Sequence, residues 1–530
     1  MSDGGGRRRA GLLIPLFACP STASWGIGEI GDLAPLTAWL AAAGQRVLQL
    51  LPINEMAPGQ QSPYSAISAM AIDPLFISVP SVPEFAALGG ERALSRNDRA
   101  ALAHVRSAPR IQYAEIRRLK RVALAAAFSR FFDADWRRDG GRSRLLKAFL
   151  SEQAWWVEDY ALFRAIHSRE DERPWTEWPA ALQRRETEAI DHVRRELSRE
   201  VLFQQYLQWI ADAQWKGARA LAHGVELFGD LPFMVDGDSA DVWAKQDQFQ
   251  LDASVGVPPD AFSATGQDWG MPVYRWDVIV PRNFGWLRER ARRSADLYDG
   301  YRVDHLVGFY RTYGRPRGGG DPFFTPADPR EQERLGEQVL GVLRGPGAEI
   351  IAEDLGTVPD FVRASLARLG IPGFRVLRWE RRWRGEGQPF CEPAGYPQVS
   401  VAASGTHDTE PLIVWWQGAP DDERQKVNAI GAVQRLTGGT GILGATESTV
   451  RDVLLETLFM SGSNLLLIPV QDIFGWRDRI NEPSTVNEVN WTFRLPWPCD
   501  RLDDVAEARE RQQRLRGWAA QYHRLPEAGG

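Results

Sequence analysis

Eight short, almost wholly apolar stretches, each cut off by polar or turn residues, constrain this chain most. They are "AGLLIPL" (10–16), "QRVLQLLPI" (45–53), "VELFGDLPF" (225–233), "YRVDHL" (301–306), "EIIAEDL" (349–355), "GFRVLRW" (373–379), "SVAASGTHD" (400–408) and "NLLLIPVQD" (464–472). A strand with apolar side chains on both faces is buried on both, as a parallel strand between two layers must be. Helical patterns separate many of them, for instance "IGDLAPLTAWLAAAG" (30–44) and "DFVRASLARLG" (360–370). Eight such strands alternating with helices predict an α/β fold of the (β/α)8 TIM-barrel type.

The strands are unevenly spaced. Residues 85–219 contain no buried-strand pattern; "YAEIRRLKRVALAAAFSRFF" (113–132) and "SREVLFQQYLQWIADAQWKGARALAHG" (198–224) read as amphipathic helices. The expected organisation is a catalytic barrel over 10–84 and 220–525, with a long substrate loop at 244–285. A largely helical insertion occupies 85–219, and residues 1–9 form a disordered N terminus. "GRPRGGGDP" (314–322) lacks the GxxxxGK[ST] order of a phosphate loop and reads as a flexible lid. The charged, helical tail after 500 predicts no C-terminal β-sandwich.

Composition narrows the partners. Lys and Arg number 63 against 69 Asp and Glu, so no basic excess points to nucleic acid. No stretch approaches the ~20 apolar residues of a membrane span. "RRRAGLLIPLFAC" mimics a lipoprotein signal, but its apolar run is short and Pro15 interrupts it, so it reads as a first buried strand. Cys19, Cys391 and Cys499 lie far apart in sequence, which gives no disulfide framework and suits a reducing cytoplasm. The seven histidines show no metal-site spacing. Tryptophan is unusually abundant at 21 residues. Indoles serve as core, or as flat platforms for sugar rings.

The chemistry concentrates at strand ends. In "GYRVDHLVGF" (300–309), Arg302 and Asp304 are two residues apart and share a strand face. A buried arginine holds such an aspartate ionised and oriented, which is what a nucleophile at a sugar carbon requires. Beside it His305 reads as a satisfied histidine on the other face or at the strand end. Glu353 and Asp354 end the next strand and face opposite sides, so at most one reaches the same site; a glutamate crowded by carboxylates suits a general acid. His407 and Asp408, in "GTHDTE", end a third strand and by themselves read as a hydrogen-bonded cap. Taken together, three acids lie at the strand ends where barrel enzymes keep their sites.

At these residues the chain resembles the amylomaltases, the 4-α-glucanotransferases of glycoside hydrolase family 77, from about residue 10 to about 495. The motifs, in order, are "SWGIGEIGDL", "SPYSAISAMAIDPLFI", "GDLPFMVDGDSADVWA", "GVPPDAFSATGQDWGMPVYRW", "YRVDHLVGF", "IIAEDLG", "GTHD" and "IPVQDIFG…RINEPSTVNEVNWTFRL". The resemblance implies that Asp304 is the nucleophile, Glu353 the general acid/base and Asp408 the transition-state stabiliser. Arg302, His407, Tyr64 of "SPY" and Asp238 of "DSADVW" match the remaining active-site positions, Tyr64 stacking under the sugar and Asp238 and His407 binding its hydroxyls. Trp269 and Trp276 would line the acceptor side, or pack a long loop. No metal and no organic cofactor are implied. The implied partners are malto-oligosaccharides or an α-1,4-glucan, in the cytoplasm. Met271, Ala261 and Glu410 depart from residues common in the family and leave acceptor preference, product length and ring formation open. The implied reaction is retaining double displacement; hydrolysis of the same glucan, or glucan binding without catalysis, are the alternatives.

Overall fold

The computed structural model describes residues 7–259, 266–483, 485 and 487–525. Twelve strands run along it: β1 (Arg9–Leu13), β2 (Val47–Gln49), β3 (Glu226–Leu231), β4 (Phe249–Val257), β5 (Gln267–Tyr274), β6 (Gly300–Val303), β7 (Thr312–Pro316), β8 (Phe323–Thr325), β9 (Glu349–Ala352), β10 (Gly373–Val376), β11 (Ser400–Ala403) and β12 (Leu465–Pro469). Eight of them close a parallel barrel in the order β1-β12-β11-β10-β9-β6-β3-β2. Each of the eight apolar stretches supplies one barrel strand.

Two faces explain the apolar runs. Val47, Phe228, Ile351, Phe374, Val376, Val401, Ala403, Leu465 and Leu467 form a separate cluster that fills the barrel. Alternating with them, Leu48, Leu227, Tyr301, Ile350, Ala402 and Leu466 join the larger core outside it. The filling is tight: a Cβ on Gly300 would lie 2.6 Å from the Phe228 ring. At the opposite end of the barrel from the carboxyl strand ends, Arg9 pairs with Glu226 and, at 2.8 Å, with Glu349. Arg9 thus opens β1, and Arg8 donates to the carbonyls of Phe459, Ser461 and Tyr522. The expected disordered N terminus therefore does not extend to residues 8 and 9.

Helices Leu33–Ala42, Ser198–Ala220, Gly285–Leu297, Pro329–Arg344, Asp360–Leu369 and Glu447–Phe459 alternate with the strands. The only helical element in the β10-to-β11 link is the 3-10 turn Pro393–Gly395. Residues 85–219 are largely helical, led by Tyr113–Ala134 and the 29-residue helix Gly141–Arg169.

The substrate loop differs from expectation. β4 and β5 pair antiparallel, and with β7 and β8 they make a four-stranded sheet in the order β5-β4-β7-β8. The Gly-rich stretch expected as a lid is the turn of the β7–β8 hairpin, with Gly314 paired to Phe323. Pairing with β4 holds residues 314–317, and Gly318, Gly319 and Gly320 form the exposed tip. Ala261 lies outside the described residues. Past β12, the described residues form no further strand.

Candidate active site

Strands β3, β6, β9 and β11 deliver polar side chains to one end of the barrel. They border a cleft of about 740 Å³ lined by Tyr64, Arg302, Asp304, Glu353, His407 and Asp408, with Trp269 and Met271 of β5 on one wall. Seven residues expected from the sequence, Trp269 among them, therefore meet in one space.

Arg302 organises the floor. Its side chain is buried; one terminal nitrogen lies 2.7 Å from Asp230, and the other 2.8 Å from Asp304 and 3.9 Å from Glu353. The Asp304 and Glu353 oxygens are thus no further apart than those last two contacts combined. That bound reaches only the bottom of the ~6.5–9.5 Å range of inverting glycosidases and accommodates the ~5–5.5 Å of retaining ones.

Glu353 is fixed from a second side. His305 has φ 41°, in the left-handed region that a non-glycine residue enters only when its surroundings impose it. The turn aims the His305 N–H at Glu353 Oε2, 2.8 Å away. Burial, with Asp304 adding to it, pushes the Glu353 carboxyl up to about 7 against the pull of Arg302 and this N–H. Asp354 points away and accepts from the Phe374 N–H at 2.7 Å, so only one of the adjacent acids reaches the cleft.

Asp408 behaves oppositely. Burial would raise its carboxyl, but His407 and the Asn481 amide outweigh burial and bring it down to about 2. Asn481 donates to Oδ1 at 2.6 Å and His407 Nε2 lies 3.2 Å from Oδ2. Arg479 holds the Asp408 carbonyl at 2.8 Å. The departing residue Glu410 pairs with Arg378 at 2.8 Å, behind this turn. One carboxyl is thus held protonated near neutrality and another held ionised, which separates an acid from an anion.

Tyr64 makes the aromatic wall. Its hydroxyl donates to Asp230 at 2.7 Å, and its ring stacks on His407 with centroids 5.3 Å apart. Trp269 meets His305 edge-on at 4.7 Å.

Two expected substrate contacts lie elsewhere. Asp238 accepts from the Trp175 N–H and faces His167 Nε2, both at 2.9 Å; it ties the turn after β3 to the helical region. Asp230, on β3 itself, is the acid that faces Arg302. Trp276 is buried, its indole N–H 3.3 Å from Thr312 Oγ1 and its ring packed on Tyr274. It braces the four-stranded sheet and does not line the cleft.

Sequence reasoning missed Asp230, Asn481 and Trp491 and placed His305 elsewhere, yet all but Asp230 line the cleft and Asp230 lies beneath it. The signal for Asp230 was an acid inside an apolar strand, the feature that singled out Asp304. Among the described residues, no group of His, Cys, Asp and Glu is arranged to hold a metal ion.

A family model described as 4-alpha-glucanotransferase matches residues 14–500. The 4-alpha-glucanotransferase of Chlamydia pneumoniae is 32% identical over 498 residues, covering 92% of this chain and 91% of its own. That of Thermus thermophilus is 32% identical over 525 residues, covering 95% and 99%. Amylomaltase from Streptococcus agalactiae, solved in complex with acarbose, superimposes with a TM-score of 0.82 at 25% identity, covering 98% of this chain and all of that one.

Proposed function

The chain belongs to the 4-alpha-glucanotransferase family, and from that premise we propose that its cleft moves a segment of an α-1,4-glucan to the 4-hydroxyl of another glucan or of glucose by two successive displacements. Asp304 attacks the anomeric carbon while Glu353 gives its proton to the departing glycosidic oxygen. The bond to the leaving chain breaks and a glucosyl ester to Asp304 forms. An acceptor 4-hydroxyl then gives its proton to Glu353 and attacks the same carbon, releasing Asp304. Two inversions leave the α configuration intact. Asp408, ionised, grips hydroxyls of the reacting sugar and steadies the oxocarbenium-like state; Tyr64 stacks beneath that sugar, and Trp269 lines the acceptor side.

One observation carries this reading. A single guanidinium touches Asp304 at 2.8 Å and approaches Glu353 at 3.9 Å. That proximity supports reading the two carboxyls as nucleophile and proton donor. The acarbose bound to the streptococcal relative supports ligands of the malto-oligosaccharide class. We assign the activity to the cytoplasm on the three free thiols; among the described residues no helix is long and apolar enough to cross a membrane.

The test is incubation with maltotriose, following chain lengths and reducing ends together, with Asp304→Asn as control. Longer and shorter oligomers at constant reducing ends are expected. A rise in reducing ends would make the enzyme a hydrolase, and identical behaviour of Asp304→Asn would remove Asp304 from the reaction.

A further inference from the structure

Among the described Phe, Tyr and Trp residues, only two side chains are more than about a third exposed: Trp379 at 38% and Trp383 at 58%. Both belong to the loop that follows β10. An indole left in water forfeits the burial that most of this chain's tryptophans obtain, and exposed apolar surface of this kind marks a contact.

The barrel order says where the loop stands. β10 lies between β9 and β11, the strands that lead to Glu353 and Asp408. Trp379 is three residues beyond the end of β10. The pair therefore rises from the rim between the proton donor and the stabilising acid.

The loop is braced. Residues Arg381 and Phe390 form an antiparallel bridge, and the N–H groups of Arg382 and Cys391 donate to Pro389 and Glu380 at 2.9 Å each. Arg381, held by Glu423 at 2.8 Å, lies over one face of the Trp383 ring at 5.6 Å and over Phe390 at 4.3 Å. A guanidinium backing one face of an indole fixes its orientation. A fixed, exposed ring is preorganised for a flat apolar partner, and the apolar face of a glucose ring is such a partner.

We propose that Trp379 and Trp383 form a rim platform that stacks glucose units of a long α-1,4-glucan, extending the cleft's grip beyond the reacting bond and favouring long chains over short ones. This rests on the transfer reading of the cleft. The strand order selects the occupant: with β10 between β9 and β11, a chain threaded past Glu353 and Asp408 leaves the barrel mouth across this rim.

Two measurements test it. In kinetics, the Trp379→Ala/Trp383→Ala variant is compared with wild type on soluble amylose and on maltotriose. The ratio of kcat/KM for amylose to that for maltotriose is expected to fall about tenfold, the scale of one to two ring stackings, and Trp383→Phe to retain most of it. A ratio within twofold of wild type, or equal losses on both substrates, would overturn the platform. In binding, the Asp304→Asn protein is run through native gels containing amylose. Retardation is expected, and adding both Trp→Ala changes should abolish most of it; unchanged retardation would also overturn the proposal. Because the gel needs no turnover, it separates failure of the platform from failure of the transfer reading, which would show as wild type inert on maltotriose. Thermal melts of the variants alongside wild type exclude unfolding as the cause.

Discussion

Arg302 answers why an apolar strand carries both an arginine and an aspartate. Its one positive charge sits beside Asp230, Asp304 and Glu353, and one cation cannot keep three crowded carboxylates equally ionised. Glu353 gives way: burial and the Asp304 charge hold it up at about 7. The sign of the pH dependence follows. A general acid works only while protonated, so kcat/KM falls as pH rises through about 7, roughly tenfold per pH unit beyond it. Asp408, brought down to about 2 by His407 and Asn481, stays charged across the working range and shapes neither limb near neutrality. A pH profile of kcat/KM checks this. Glu353→Gln is expected to remove the basic limb and lower the rate by about 10²–10⁴-fold. A variant that kept both rate and limb would contradict the assignment.

Among the elements, the helical region is joined to the barrel by buried charge. Lys120, on helix Tyr113–Ala134, pairs with Glu29 at 2.6 Å with both side chains at most 3% exposed, and also donates to the Ile77 carbonyl at 2.9 Å. Burial pushes Glu29 up to about 7 even against Lys120. Lys120→Met leaves Glu29 buried without its cation and is expected to cost about 3–5 kcal/mol of stability. Without Lys120, Glu29 takes up a proton on folding, so the loss grows as pH rises from 5 to 8. Adding Glu29→Gln should recover much of it. Urea melts of the single and double variants at both pH values check the pattern; a pH-independent loss would mean that packing, rather than charge, carries the contact.

Elements also divide what sequence reveals from what it hides. The eight barrel strands were legible because burial on both faces leaves unbroken apolar runs. The four-stranded sheet was not. "FQLDASVGV" and "QDWGMPVY" carry half-exposed and exposed residues, and pairing across a chain separation such as Ala253 to Pro316 leaves no local period. The same contrast holds at the site. Asp304, Glu353 and Asp408 announce themselves as acids at strand ends. Asn481 and Trp491 come from an irregular segment after β12, and only the fold brings them to Asp408 and Tyr64. Asp238 entered through the family motif "DSADVW"; in the fold its turn directs it to His167.

On the scale of the whole molecule, the barrel gathers groups far apart in sequence onto one rim and encloses them. Asp304 and Glu353 are half-buried and lie above an apolar filling. Such a setting lets a glucosyl ester outlive the departure of the first chain long enough to meet an acceptor. The central claim is therefore covalent, and mass spectrometry reads it directly. α-Maltosyl fluoride carries a leaving group that needs no proton, so Glu353→Gln should still form the ester yet lack the base to discharge it. The account predicts a maltosyl adduct on the peptide containing Asp304, absent when Asp304 is also changed to Asn. An adduct on another peptide, or none while the fluoride is consumed, would contradict it.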